Sequence, residues 1–561
     1  MQQIRLLVGL VTVLTLVSLS AAATVDPLAT DIDAVFADYD TTTSPGCALG
    51  IIRSGELIYK RGYGMANLEY GIALSPRSVF RTGSVGKQFT AMASALLAEE
   101  GIISLDDSIR ELFPELPAYA DEITIQHLIH HTSGIRDYLE LAFMAGLDDE
   151  GPYTDEYAIE LIARQKNTNF APGEEYLYSN SGYFLLSHVV KRSTGQTLRE
   201  WAAENIFGPL GMKDTHFHDD HTHIVPNRAD GYAPSDDGYH ISMTTLDMVG
   251  DGGVFTTVED LLFWDRNFYD NKLGAGGPEL IHLVTTPGRF NNGEEQDYAF
   301  GLGVEKYRGL PIIRHSGGFV GFRAQMIRFP DQQLSVAVLC NRADADPTQR
   351  AIEVAELYLA DLMERDKAVE ESEKDGTKAQ EITTAEAEPV IGHYWQEDSQ
   401  FAREVRFEDG KLLYVRSEDS QTELAHFGND RFVMVDVPDH VEVWFEPMGS
   451  TGTKMLVRVG DNETRIHNSF EKKAPTASDL TAYAGTYCSE ELDVEYELTQ
   501  RDGSLSFGFG KPGDHPLEAQ FGETFTNPDY GTFEFQRDSH GQVVGFSLDS
   551  GRVRNVTFVR Q

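Results

Sequence analysis

Apolar residues recur along this chain in two rhythms. Over residues 26–40, Leu28, Ile32, Val35, Phe36 and Tyr39 fall at gaps of four, three, one and three, which predicts a helix with one buried face. The run CALGIIRSGELIYKRGYG, beginning at Cys47, reads instead as two strands turning at Ser54-Gly55. Helical spacing returns in QFTAMASALLAEEG, where Phe89, Met92, Leu96 and Leu97 form a stripe. A middle region to about residue 285 mixes helices with long Gly- and Asp-rich loops. From residue 311 the pattern is again that of strands, in PIIRHSGG, FRAQMIRFP and QLSVAVLCN, before a last helix from Thr348 to Met363. Strands early and late with helices between them predict an α+β domain over residues 24–363. Its late strands should join the early hairpin in one antiparallel sheet flanked by helices.

The pattern then lapses. Between Glu364 and Pro389 large apolar residues almost vanish and charges crowd together, so residues 364–389 read as a protease-sensitive linker. Beyond it, short alternating segments are separated by turns such as Asp409-Gly410 and Asp502-Gly503. Gly392-His393-Tyr394 is echoed by Gly485-Thr486-Tyr487, and Asp-Gly-x-Leu at 409–412 returns at 502–505, both at an offset of 93 residues. This repeat predicts two small all-β barrels or sandwiches, residues 390–475 and 476–561.

Charge narrows the possible partners. The 89 acidic and 46 basic residues give a formal net charge of −43, which repels nucleic acid and anionic lipid. The amino terminus has Arg5, an apolar run from Leu6 to about Val17, and then Ala21-Ala22-Ala23. Residues 1–23 therefore read as a secretory signal peptide, and the mature chain as periplasmic or secreted. No later run of 18 unbroken apolar residues occurs, so no integral membrane segment is expected. Of the three cysteines, Cys47 and Cys340 sit in apolar strand-like runs. An odd number in an exported chain argues against a disulfide framework, and buried free thiols are expected.

Four segments carry candidate chemistry. In RTGSVGKQFT, Ser84 and Lys87 stand three residues apart and would share a helix face, as nucleophile and base or merely as a cap and a solvated lysine. A phosphate loop is excluded, because Arg81 stands where its first glycine belongs and Gln88 follows the lysine. Tyr178-Ser179-Asn180 precedes a helical run that Asn180 alone could cap, and His315-Ser316-Gly317 ends a strand before Gly318. LIHHTSGI, from Leu128, is a polar turn closing a short helix. A fifth segment, DTHFHDDHTH from Asp214 to His223, has donors for zinc, but its spacing is loose. It reads as a solvated loop, and no metal site is assigned.

In this order and at these distances, the segments resemble the serine β-lactamase and penicillin-binding-protein-like hydrolases. The likeness is to the branch with class C β-lactamases, D-alanyl-D-alanine carboxypeptidases, D-stereospecific aminopeptidases and certain esterases. It covers about residues 26–363 and rests on Ser-x-x-Lys at 84–87, Tyr-x-Asn at 178–180 and His-x-Gly at 315–317. HHTSGI at 130–135 and GDGGVFTTVEDLLFW at 250–264 are further shared segments. The tail is similar in architecture to that of the D-stereospecific aminopeptidases, where a barrel loop reaches the active site.

The resemblance implies an exported hydrolase working through a Ser84 acyl-enzyme on amides or esters, D-amino-acid peptides among them. A slow-turnover penicillin-binding or cell-wall-binding protein is the alternative. Lys87 or Tyr178 would be the general base, the two not being separable by sequence. Asn180 would hold Lys87 or donate to the substrate amide. The backbone N–H groups of Ser84 and Gly318 would receive the oxyanion, with glycine at 317 and 318 admitting the substrate. The partner would be a small molecule or peptide. No cofactor is called for, and the oligomeric state is open. His315 stands where other members carry lysine. With an ordinary imidazole pKa near ~6.5 it would be mostly neutral at about pH 7.5 and gain a proton towards about pH 6. Substrates with a free carboxylate should therefore be poor ones, improving as the pH falls.

Overall fold

The computed structural model describes residues 26–561 apart from 148–150, 152, 365–379 and 381, and short stretches of the barrels at 398–399, 418–419, 427–430, 436, 438–440, 450–451, 461–463 and 502. The signal peptide and most of the linker expected from the sequence lie outside the described residues.

Six antiparallel strands form the central sheet, in the order Gly303–Tyr307, Leu310–Phe319, Phe322–Phe329, Leu334–Cys340, Cys47–Arg53 and Glu56–Tyr63. The early hairpin joins the late strands, as the alternation of strand and helix patterns predicts. Its turn residues Ser54 and Gly55 both have positive φ, 51° and 76°, the mirror-image turn whose twist suits two paired strands. The apolar run LSVAVLC makes sense because both faces of this strand are covered. Val336 and Val338 face the core beneath the Ala29–Val35 and Pro347–Leu359 helices, with Ile32, Phe36 and Val354. Ala337 and Leu339 face the opposite core, with Phe89, Met92, Leu185 and Trp264.

One sequence expectation fails at this sheet. Cys47 and Cys340 are direct cross-strand partners, with Cα atoms 4.0 Å apart, and they form a disulfide rather than two free thiols. The odd count concealed an even pair plus Cys488, which is free on the first strand of the second barrel. Strand register, not cysteine number, decides the pairing.

The tail folds as two closed eight-stranded barrels, with strands running from Gly392–Gln396 to Arg465–Phe470 and from Gly485–Ser489 to Val553–Arg560. Closure rules out the sandwich alternative and leaves no free sheet edge. A short capped helix leads into each barrel. Thr383 and Glu386 form a capping box on Thr384–Ala387, and Thr476 and Asp479 form one on Ala477–Tyr483. The end of the expected linker is therefore part of the first barrel, where Ala387 is buried with Tyr394 and Val405.

The second barrel is docked on the α+β domain through a shared core. Leu141, Ala142, Met144 and Leu161 pack with Tyr496, Phe507 and Phe533. Arg136 and Glu491 pair across this interface at 2.6 Å, with side chains 0% and 3% exposed. That carboxylate also accepts from the backbone N–H groups of Lys166 and Thr557, so both of its oxygens are bonded.

Candidate active site

Gly83, at φ 52°, turns the chain from the Phe80–Arg81 strand into one turn of 3₁₀ helix, Gly83–Gly86, which runs on into the α-helix Lys87–Glu99. Residues i and i+3 nearly eclipse in a 3₁₀ turn. Lys87 Nζ accordingly lies 3.2 Å from Ser84 Oγ. The strand carrying Gly317 presses on this turn. A Cβ at 317 would sit 2.0 Å from the Thr82 carbonyl oxygen and 2.9 Å from Ser84 N. The glycine at 317 is thus required by backbone packing against the Ser84 turn, not by room for substrate. Gly318 lines the cavity beside Ser84.

Lys87 is completely buried. Its Nζ lies 2.8 Å from Asn180 Oδ1 and 2.5 Å from the Asp251 carbonyl oxygen. Burial brings its pKa down to about 7; Arg552 pushes the same way, while Asp251 and Asp137 oppose it. The partner set suits a neutral amine, which has two N–H groups and one lone pair. Two partners can only accept, and the third, the Ser84 hydroxyl, can donate.

Asp137 organises this corner. Oδ1 caps the Tyr138–Met144 helix, accepting from Leu139 N at 3.0 Å and Glu140 N at 3.4 Å. Oδ2 accepts from the N–H of Asn180 at 2.6 Å, the first residue of the Asn180–Thr194 helix. One buried carboxylate so satisfies two helix N-termini. With Oδ1 of Asn180 given to Lys87, its NH₂ is the group left for the cavity that it lines.

Tyr178 has a buried hydroxyl with no hydrogen bond of normal geometry. Burial raises its pKa far above the ordinary phenol value, and a weak interaction with Ser84 offsets this only in part. Tyr178 is therefore a neutral phenol at neutral pH. Lys87 Nζ lies 4.7 Å and Arg552 Cζ 4.8 Å from its ring centroid.

His315 departs from expectation. It is buried, its Nε2 lies 2.9 Å from the Tyr298 hydroxyl and its Nδ1 2.6 Å from the Ser316 carbonyl oxygen. A carbonyl only accepts, so Nδ1 carries the proton and Nε2 accepts from Tyr298. Burial, helped by Lys87, lowers the pKa to about 4. Burial thus works against the proton gain near pH 6 expected of an exposed imidazole, and the ring lies 6.3 Å from that of Tyr178, centroid to centroid, outside the lining of the cavity.

The cavity in front of Ser84 has a volume of about 520 Å³. Its far wall belongs to the second barrel, with Pro528 and Asp529 from one hairpin and Gly551 and Arg552 from another. Asp137, Glu140, Asp251 and Arg552 all border it; none was assigned a role from the sequence, although Asp251 stands in the shared segment 250–264. Asp137 and Asp251 lie within the segments IRDYLE and GDGG, where nothing local distinguishes a buried carboxylate from a solvated one. The segment 214–223 is not the plain solvated loop expected. His216 and Phe217 pair with the Val254–Thr256 strand, and burial lowers the pKa of His216 to about 4 and of His218 to about 3. Among the described residues, no three His, Cys, Asp or Glu side chains converge as a metal would require.

A buried lysine touching a serine at the start of one helix, with a tyrosine just before and an asparagine at the start of a second helix, Asn180–Thr194, is the arrangement of a serine hydrolase built on the β-lactamase and penicillin-binding fold. The β-lactamase family model matches residues 32–359, and the chain belongs to that family. It is 27% identical over 484 residues to a D-aminopeptidase of Gluconobacter oxydans, spanning 84% of this chain and 85% of that protein. A D-aminopeptidase of Brucella melitensis is 25% identical over 543 residues, spanning 92% and 96%. Among solved structures, the octameric penicillin-binding protein homologue from Pyrococcus abyssi superposes with a TM-score of 0.55 at 21% identity, covering 86% of this chain and 97% of its own. A D-amino acid amidase from Ochrobactrum anthropi SV3 gives 0.51 at 22% identity, covering 60% and 99%. These two likenesses establish the shared fold.

Proposed function

We propose that this chain is an exported serine hydrolase that cleaves amides of D-amino acids or short D-peptides carrying a free amino group, through an acyl-enzyme on Ser84. The observation that carries the reading is the donor and acceptor balance around Lys87. A neutral amine there accepts the Ser84 proton as Oγ attacks the carbonyl carbon. Tyr178, a phenol held next to Ser84, then donates a proton to the departing nitrogen and is reprotonated from Lys87. Lys87 is thus the base and Tyr178 the acid. The Ser84 and Gly318 backbones border the position of the oxyanion.

The substrate class is supported by the relatives and by the charge of the cavity. Asp137, Glu140, Asp251 and Asp529 line it against Arg81 and Arg552. Burial and Asp137 push the Glu140 carboxyl up to about 8, so a bound ammonium would draw it into its charged form. The neutral, buried His315 offers no charge to a substrate carboxylate. Export is supported by the Cys47–Cys340 disulfide, which suits an oxidising compartment.

A fluorophosphonate probe should label Ser84 in the native enzyme and nothing in Ser84→Ala, which should also lose turnover. D-Alanine p-nitroanilide should be hydrolysed faster than its N-acetyl derivative and faster than nitrocefin. Label on another serine, or a preference for the N-acetylated substrate, would overturn the reading. Ser84 labelling without turnover on any of these substrates would favour the slow penicillin-binding alternative.

A further inference from the structure

Arg552 occupies the turn between the last two strands of the second barrel, Val543–Ser550 and Val553–Arg560. It is held from the catalytic side at both ends of its backbone. Its N–H donates to the Glu140 carboxylate, and its carbonyl accepts from Asn169 Nδ2 at 2.8 Å. The guanidinium lies 4.8 Å from the Tyr178 ring centroid, 3.6 Å from Asp137 Oδ2 and 3.8 Å from Glu140 Oε1. The Asp137 side chain is 0% exposed, and Arg552 is the cation set against it. We propose that Arg552 is a positioning residue of the hydrolytic site, acting through Tyr178, Asp137 and Lys87, so that the second barrel completes the electrostatics of a site whose reacting groups all lie in the α+β domain.

The argument rests on the Ser84 reading above and on where the charges stand. Two basic side chains share the Tyr178 ring, Lys87 from the α+β domain and Arg552 from the barrel. The Arg552 guanidinium, fixed on the same ring, disfavours an ammonium at Lys87. Asp137 acts in the opposite sense, and pairing with Arg552 cancels much of its pull. The other groups around Lys87 do not replace this effect. The Asp251 carboxyl favours the ammonium, while His131 and His315 are buried with lowered pKa values and so stay neutral. The rings of Tyr178 and Tyr183, the latter with its centroid 5.5 Å from Nζ, contribute only their π faces. Removing the Arg552 charge therefore leaves Asp137 and Asp251 to hold a proton on Lys87. The same guanidinium covers the outer part of the Tyr178 ring and so fixes the phenol beside Ser84.

The test uses the full chain and a neutral ester, p-nitrophenyl acetate, so that substrate charge does not enter. kcat/KM and the rate of fluorophosphonate labelling are followed from pH 5 to 9, with thermal unfolding alongside, for the native enzyme and for Arg552→Met and Arg552→Lys. Arg552→Met should move the acid limb of both profiles up by roughly one pH unit and lower the rate about fivefold at pH 7 and about tenfold at pH 6 and below, the loss vanishing as the pH rises. Arg552→Lys should return the limb close to its native position. An acid limb unmoved in a folded Arg552→Met protein overturns the proposal. If Arg552→Met unfolds, an Arg552→Lys protein with native stability and a shifted limb overturns it equally. A native enzyme that labels elsewhere than Ser84 sinks the hydrolytic reading as well, whereas correct labelling with unmoved profiles sinks only the role of Arg552.

Discussion

The two barrels share a plan yet stand differently towards the catalytic domain. Each has eight strands, a capped lead-in helix and a buried tyrosine whose hydroxyl donates back four residues along the chain, Tyr394 to the Val390 carbonyl just past its helix at 2.7 Å and Tyr487 to the Tyr483 carbonyl at the end of its helix at 2.8 Å. The first barrel has a core of its own, around Tyr394, Leu412 and Val443. Its contacts run to the second barrel, as in the Trp395–Phe521 ring pair at 5.1 Å and the Thr532 hydroxyl bonded to the Gln400 carbonyl at 2.6 Å. The second barrel instead shares its core with the Tyr138–Met144 and Asp155–Ala163 helices and sends Arg552 to the active site. The barrel fold fixes neither role. A few outward residues at one end, Glu491, Asp529 and Arg552, distinguish the copy that docks on the site.

The comparison breaks most sharply at the buried pair. Glu491→Ala leaves the buried Arg136 charge without its carboxylate, with only the neutral acceptors Gln165 Oε1 and the Asn555 carbonyl, and should cost about 3–5 kcal/mol. Thermal unfolding should show that loss, with kcat/KM falling as the cavity wall loosens. An unchanged melting temperature would mean that the second barrel is as loosely attached as the first. Next in size are the reacting residues on the near side of the cavity. Lys87→Ala and Tyr178→Phe should each lower kcat by about 10²-fold or more, and the double variant should lose little beyond the worse single one, because the pair acts as one relay.

The pH profile sharpens the contrast between charges that titrate and charges that burial has fixed. Lys87 works as the free amine and has a pKa of about 7. On a neutral substrate, kcat/KM should therefore be flat above that pH and fall about tenfold per unit below it. His315, at about 4, stays neutral over that range. The ratio of turnover on anionic and neutral substrates should be constant between about pH 6 and 8; a ratio rising towards pH 6 would place a titrating imidazole in the cavity. The smallest effect belongs to the first barrel. Its Lys411–Glu423 pair is 57% and 35% exposed, so Lys411→Ala should change stability by no more than about 0.5 kcal/mol and leave kcat untouched.

What the sequence by itself determined is local or periodic. Ser84 and Lys87 meet because three residues make one helical turn. Tyr178 and Asn180 flank a helix start that is visible in the apolar spacing. The two-sided apolar run ending at Cys340 announces a central strand, and the offset of 93 announces two like domains. The lead-in helix Thr384–Ala387 fell inside the stretch read as linker, because a four-residue helix carries no apolar period. Tertiary structure alone decided the rest. Cys47 meets Cys340 only through strand register, and His315 loses its basicity only because Tyr298 and the surrounding core exclude water. Asp137 becomes an organising charge, and Arg552 its counterion, only when a hairpin hundreds of residues away docks on the helix that Asp137 caps. Spacing along a chain fixes which neighbours share a turn or a face. Burial and long-range electrostatics depend on which distant surfaces are pressed together, and no local pattern encodes that.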